Sequence, residues 1–285
     1  MVKNNWDAIA CDYLLTEMGG FWSGDKKSIS ICTAEKGVAW RRLAIQGTPG
    51  HGSMPYGTDN AILKMAQVVR RISEHEAVPR IDELWINRIK TSGMTEDMKE
   101  ALLDPGRITE ALGKLPPSAA RSLHACAHTT MSCNVVHGGQ KTNMVPDMVE
   151  LDVDVRTLPG VSNDEVDALL VSLLGDLAAD VQIERLQGGV STSSTTQSPL
   201  WEALSARVKH QFPESELSAG LMVGGTDARF FREKGTVAYG AGLFSPSVDA
   251  AAISSRFHGH DERIDVESLR LSTQLWHDLA NDLVG

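Results

Sequence analysis

Four groups of residues in this 285-residue chain have types and spacings that could do chemistry. The run Thr16-Glu17-Met18-Gly19-Gly20 sets a carboxylate after apolar residues and ahead of a glycine turn. Glu17 there is either a placed functional acid or an ordinary strand-end acid. The run Gly47-Thr48-Pro49-Gly50-His51-Gly52-Ser53-Met54-Pro55 holds a histidine between glycines. Low crowding lets His51 reach a ligand, as loop residues on rigid scaffolds often do, although a loop histidine also stands simply solvated. Gly138-Gly139-Gln140-Lys141-Thr142-Asn143-Met144-Val145-Pro146 precedes a strand pattern ending at Arg156. A hairpin there would bring Asn143 and Arg156 near one end of a sheet, an amide donor beside a planar fork for a carboxylate. A surface salt bridge is the other reading of Arg156. Phe257-His258-Gly259-His260-Asp261-Glu262-Arg263 packs imidazoles and carboxylates densely enough for a metal site, or forms a polar turn before a helix capped by Asp265.

Other chemistries fail on their own patterns. Gly50-His51-Gly52-Ser53-Met54 is not the Gly-x-Ser-x-Gly elbow of a serine nucleophile. Ser23-Gly24-Asp25-Lys26 matches Ser-x-x-Lys, but the partner motifs of such enzymes are absent. Cys126 and Cys133 lie near His124 and His128 at a spacing that fits no common zinc pattern.

The elements that must position these residues follow from periodicity. Residues 27–33 and 37–47 alternate as strands, and 58–76 carry apolar residues at helical spacing. Residues 80–125 contain Pro105, Pro116 and Pro117, which predicts short helices joined by loops. Residues 129–138 and 148–157 are strands; in the second, Val149, Leu151, Val153 and Val155 alternate with Glu150, Asp152, Asp154 and Arg156. Ser162 with Glu165 three residues on predicts a capping box opening a helix over 162–178, followed by a strand over 180–187. The order strand, helix, strand, strand, helix, strand over 35–188 is that of a ferredoxin-like split βαβ. The flanks alternate helix and strand, with a terminal amphipathic helix over 266–284. The fold class expected is thus a discontinuous α/β domain carrying an inserted α+β domain.

A net charge of −10 argues against a nucleic-acid surface, which needs a basic face to displace counterions. No apolar stretch approaches the roughly 20 residues that span a bilayer, and the start has no apolar core of signal-peptide type. Four cysteines without a Cys-x-x-Cys pair fit a cytoplasmic protein with reduced thiols.

The order of the motifs carries more than any one of them. Glu-x-Gly-Gly, Gly-x-x-Gly-His-x-Ser-x-Pro with Asn60-Ala61, Gly-Gly…Asn-x-Val-Pro, Asp-Val-Arg, Gly-Gly-Thr-Asp-Ala-Arg and His-x-x-Asp-Glu follow one another from about residue 10 to the C-terminus. This series resembles the M20 family of two-zinc amidohydrolases and peptidases, which includes aminoacylases, carboxypeptidases, acetylornithine deacetylases and succinyl-diaminopimelate desuccinylases. The resemblance implies a zinc-hydrolase α/β domain formed by 1–34 and 189–285, with 35–188 as a lid that makes a homodimer. It implies that Glu17 completes the shell of one zinc and that His258 ligates the other. His51 matches the lid histidine that reaches the partner subunit's active site and donates a hydrogen bond to the tetrahedral oxyanion. Asn143 and Arg156 would grip the substrate's carboxylate, helped by the backbone around Gly225 and Thr226. The implied reaction is hydrolysis of an amide next to a free carboxylate, in an N-acyl amino acid or small peptide.

One departure is large. The family's His-x-Asp pair, bridging aspartate and Glu-Glu pair precede the region matched here. None of the nine histidines is followed two residues later by aspartate, and no Glu-Glu occurs. A catalytic zinc needs about three protein ligands, and each metal would keep one. The expectation is therefore an N-terminally truncated relative, inactive alone and weak in zinc binding. The second reading is a dimerising or carboxylate-binding protein without catalysis.

Overall fold

The computed structural model describes every residue except 1, 3, 249–255, 257–259 and 285. Among these, the strands in chain order are β1 (Tyr13–Thr16), β2 (Phe21–Trp22), β3 (Ser28–Glu35), β4 (Gly37–Gln46), β5 (Gly50–His51), β6 (Thr130–Gly138), β7 (Met144–Val145), β8 (Met148–Thr157), β9 (Val181–Gly189), β10 (Thr192–Ser193), β11 (Glu216–Met222) and β12 (Val237–Gly240). They divide between two compact units: Met1–Glu35, Pro79–Ala127 and Thr192–Gly285 form the first, and Lys36–Val78 with His128–Ser191 the second.

In the second unit β6, β8, β4 and β9 form an antiparallel sheet in that order. With the helices Ala61–Ser73 and Asn163–Leu174 between strands, this is the ferredoxin-like arrangement expected from the pattern. Alternation does the work on β8: Val149, Leu151, Val153 and Val155 are buried and join Met65, Val68, Ile72, Val166, Leu170 and Leu174 in one core. The capping box is present, with Ser162 Oγ accepting from the Glu165 N–H at 3.2 Å and Glu165 accepting from the Ser162 N–H at 2.7 Å. The helix stops at Leu174 rather than 178, because Gly175 turns to φ +56° and a 3-10 turn follows. Periodicity did not reveal Arg41, whose side chain is fully buried under the helix Asn163–Leu174, with Nε 2.6 Å from Asp167 Oδ1 and Nη2 2.9 Å from Asn163 Oδ1.

In the first unit β3 is the central strand, pairing parallel with β11 and antiparallel with β2, β10 and β12. Both of its faces are covered, so Ser28–Glu35 is buried almost throughout rather than alternating. β1 lies parallel to β12. The helix Pro199–Gln211 starts with Ser198 Oγ accepting from the Trp201 N–H and proline in its first turn. Its Leu200, Leu204 and Val208 meet Leu271, Leu275 and Leu279 of the terminal helix Val266–Val284 over Ile29, Ile31 and Tyr239.

Within the expected span of 35–188, Pro79–Ala127 belongs to the first compact unit. Its helices Glu83–Lys90, Glu96–Leu103, Ile108–Gly113 and Pro117–Ala127 bury Trp85, Ile89, Leu102, Ile108 and Leu123 in a core of their own, with Leu221 of β11 packed against it. Apolar surface on these short helices, unreadable as part of either sheet from sequence, decides where the segment goes.

Candidate functional site

His51 and Asn143 come together on a two-stranded ribbon where the glycine-rich pattern predicts loop. β5 pairs antiparallel with β7, His51 opposite Met144, and the Gly52 N–H donates to the Asn143 carbonyl at 2.8 Å. Glycine at 52 permits this approach, since a Cβ there would stand 3.0 Å from the Asn143 carbonyl carbon. Both side chains are exposed. The turn after the ribbon is closed by the Met54 N–H on the His51 carbonyl at 3.0 Å. Within it, the Ser53 N–H donates to His51 Nδ1 at 3.2 Å and Ser53 Oγ lies 2.7 Å from the same nitrogen. A cavity of about 300 Å³ opens beside the ribbon, lined by Pro49, Gly139, Gln140, Met144, Pro146 and Glu150 among others.

Arg156 does not join them. Asn143 lies just ahead of Met148, where β8 begins, and Arg156 is eight residues along that strand, roughly 26 Å from Met148. The expectation that both sit near one end of the sheet is corrected by the length of β8. The Arg156 fork is occupied by Asp154, Nε to Oδ1 at 2.7 Å and Nη2 to Oδ2 at 3.2 Å, with Trp40 Nε1 donating to the same carboxylate at 2.8 Å and its ring 5.9 Å from the guanidinium. Arg42 likewise holds Asp152, and that hydrogen bond keeps the Asp152 carboxyl below the usual carboxylate range. The salt-bridge reading of Arg156 therefore describes its geometry within one chain.

In the first unit Glu17 is exposed at the end of β1, and its carboxylate meets no hydrogen-bond or ion-pair partner among the described residues. The glycines after it serve close packing: a Cβ on Gly19 would fall 1.7 Å from the Gly240 carbonyl oxygen, and Gly20 has φ +89°. Thr226 is buried, and its N–H and hydroxyl both donate to Glu35 Oε2, at 2.5 and 3.1 Å. Those donors are thus spent inside the protein, leaving exposed Gly225 as the loop's accessible backbone. Glu35 in turn accepts from Arg232 Nη1 at 3.3 Å, and Arg232 also donates to the carbonyls of Cys32 and Ala238. Burial pulls the Arg232 guanidinium below its usual range, against the attraction of its acidic neighbours, and pushes the Cys32 thiol up to about 11. Arg229 stacks on Phe230 at 4.5 Å and has no carboxylate partner among the described residues. A second cavity, about 690 Å³, runs from Met18 along Phe21, Trp22, Met94 and Leu123, with Arg88 as its charged group.

His258 lies outside the described residues. Asp265 beyond it caps the last helix, accepting from the Ser268 N–H at 2.8 Å. Among the described residues no three His, Cys, Asp or Glu side chains gather as a metal would require. The donor set among the described residues does not fit a zinc pair.

The contact of Ser53 with His51 is not legible in the sequence, because a two-residue spacing in a glycine-rich turn does not fix where side chains point. Nor is the role of Glu35, which stands beside Lys36 at a strand junction and looks like surface charge; no local signal marks it.

The Peptidase dimerisation domain of M20 proteins matches residues 33–182, just over half of the 285. Over 287 aligned residues the chain is 25% identical to the N-fatty-acyl-amino acid synthase/hydrolase PM20D1 of Xenopus tropicalis, an alignment covering 96% of this chain and 54% of that protein. It is 24% identical to the probable carboxypeptidase S-like 2 of Dictyostelium discoideum, with 90% of this chain and 49% of that protein covered. The probable succinyl-diaminopimelate desuccinylase of Staphylococcus aureus is 21% identical, with 76% and 50% covered. The chain spans about half the length of these curated relatives. Among solved structures, the M20 family metallo-carboxypeptidase Sso-CP2 from Sulfolobus solfataricus shares the fold with a TM-score of 0.63 at 16% identity, covering 98% of this chain and 65% of that one. The dipeptidase Dug1p from Saccharomyces cerevisiae does so with a TM-score of 0.58 at 15% identity, covering 96% and 60%. With the ferredoxin-like unit inserted in an α/β unit and the dimerisation-domain match lying across it, the chain belongs to the M20 peptidase family.

Proposed function

We propose that this chain is the lid-bearing part of an M20-type hydrolase that cleaves an amide next to a free carboxylate, in an N-acyl amino acid or small peptide. A zinc site would need ligands that this sequence does not contain, since no His-x-Asp or Glu-Glu occurs in it. The observation that carries the reading is the ribbon that sets His51 beside Asn143. His51 presents a hydrogen-bond donor to the developing oxyanion, in the partner subunit of a homodimer joined through the second unit. Asn143 offers an amide to the substrate's carboxylate. Gly225 adds backbone, and Arg156 joins only if the carboxylate displaces Asp154. Arg229, unpaired among the described residues, is a further fork for that group. The apolar lining of the 690 Å³ cavity suits an apolar acyl or side chain, in keeping with the fatty-acyl substrate in the name of one relative. A cytoplasmic setting belongs to the same reading; no disulfide joins Cys11, Cys32, Cys126 and Cys133.

A second reading, a dimerising carboxylate-binding protein without catalysis, is favoured by the four-stranded sheet of the second unit and the dimerisation-domain match over residues 33–182. Metal analysis and turnover of N-acetyl amino acids separate the two. The chain by itself is expected to hold no stoichiometric zinc pair and to turn over nothing. Joining it to in-frame upstream sequence that encodes His-x-Asp and Glu-Glu should restore both. In that restored protein His51→Ala should cut turnover about a hundred- to a thousandfold, as loss of an oxyanion donor does, with metal content unchanged. Two tightly held zincs and hydrolysis by the 285-residue chain would overturn the proposal. A restored protein that holds zinc yet stays inert would favour the second reading.

A further inference from the structure

The turn that follows the ribbon does more than expose a histidine. An amide N–H can only donate, so the bond from the Ser53 N–H to His51 Nδ1 at 3.2 Å makes Nδ1 an acceptor in the neutral ring. The Ser53 hydroxyl, 2.7 Å from the same nitrogen, must then donate as well. With Nδ1 lacking a proton, the ring proton sits on Nε2. We propose that Ser53 is a positioning residue that fixes His51 as the Nε2–H tautomer, so that Nε2, the ring nitrogen Ser53 does not engage, is always the donor. The proposal rests on the reading of His51 as an oxyanion donor, because a ring protonated on Nδ1 would offer a lone pair where a hydrogen is needed.

The device is local. His51, Gly52 and Ser53 lie in one turn closed by the Met54 N–H, and Gly52 is pinned to Asn143 across the ribbon. Both described hydrogen bonds of Ser53 go to His51, and its side chain is exposed. Ser53→Ala therefore keeps the fold and the amide donor while removing the hydroxyl. Ser53→Thr keeps the hydroxyl.

Nitrogen-15 spectra of histidine-labelled full-length chain test this without any turnover, with the His51 signals assigned by their loss in His51→Gln. At a pH high enough to keep the ring neutral, the wild-type chain should show Nδ1 in the acceptor range and Nε2 in the N–H range. Ser53→Ala should raise the Nδ1–H fraction about fivefold, the factor a single hydrogen bond confers, and Ser53→Thr should return it to the wild-type value. An even tautomer mixture in the wild type, or an unchanged tautomer in Ser53→Ala, would overturn the proposal. Failure of the functional reading looks different: His51→Ala would then leave turnover of the restored hydrolase intact while the tautomer shifts stand as predicted.

Discussion

The ribbon carrying His51 and the buried hub carrying Glu35 hold polar groups in opposite ways. In the ribbon, two short strands and a turn set the side chains through backbone hydrogen bonds, and the groups that would meet a substrate stay in water. In the hub, a carboxylate 1% exposed is held between Thr226 and a guanidinium also out of solvent. The difference teaches what each can lose. A surface turn loses orientation when a donor is removed. A buried ion pair, once broken, leaves a charge with nowhere to go.

The sharpest way to break this comparison is Glu35→Ala. It should destabilise the first unit by about 3–5 kcal/mol, the usual result of stranding one partner of a buried pair. Hydrogen exchange should quicken in β3 and β12 while β4 and β8 hold. Equal loosening of both sheets would mean that the hub is not confined to the first unit.

Asp167→Asn probes the second unit's own buried arginine and should cost less, about 2 kcal/mol. Arg41 would keep the Asn163 and Trp40 oxygens, and Asp167 is 27% exposed, so water can enter. Thermal melting reads the loss; a cost as large as that of Glu35→Ala would erase the distinction between a partly wet pair and a dry one.

The smallest effect is the pH dependence from Asp152. Its hydrogen bond to Arg42 lowers its folded pKa, while partial burial opposes. A depressed carboxylate contributes stability that is complete above the unfolded value of about 4 and is lost as pH falls through the folded value. Arg42→Gln should flatten that acid limb in melts of the second unit. An unchanged limb would place the acid sensitivity elsewhere.

Much of the second unit was legible because its signals are periodic. Alternation on 148–157 and the capping box at Ser162 set strand, helix and burial face together. Around the candidate site, the glycines near His51 marked a turn, but the pairing of residues 50–51 with 144–145 was not visible, because two-residue strands carry no period. Nor could alternation show that the acids beside Arg156 would take its fork.

What the sequence alone determined is therefore the family, the order of the motifs and the fold of the inserted unit, all of which depend on local pattern. The tertiary structure alone decided that Pro79–Ala127 packs with the first unit, that Arg156 lies at the end of β8 away from the turn holding Asn143, and that Glu35 anchors Thr226. Those outcomes depend on which apolar faces and charges meet across long stretches of chain, a distance over which neither period nor spacing carries information.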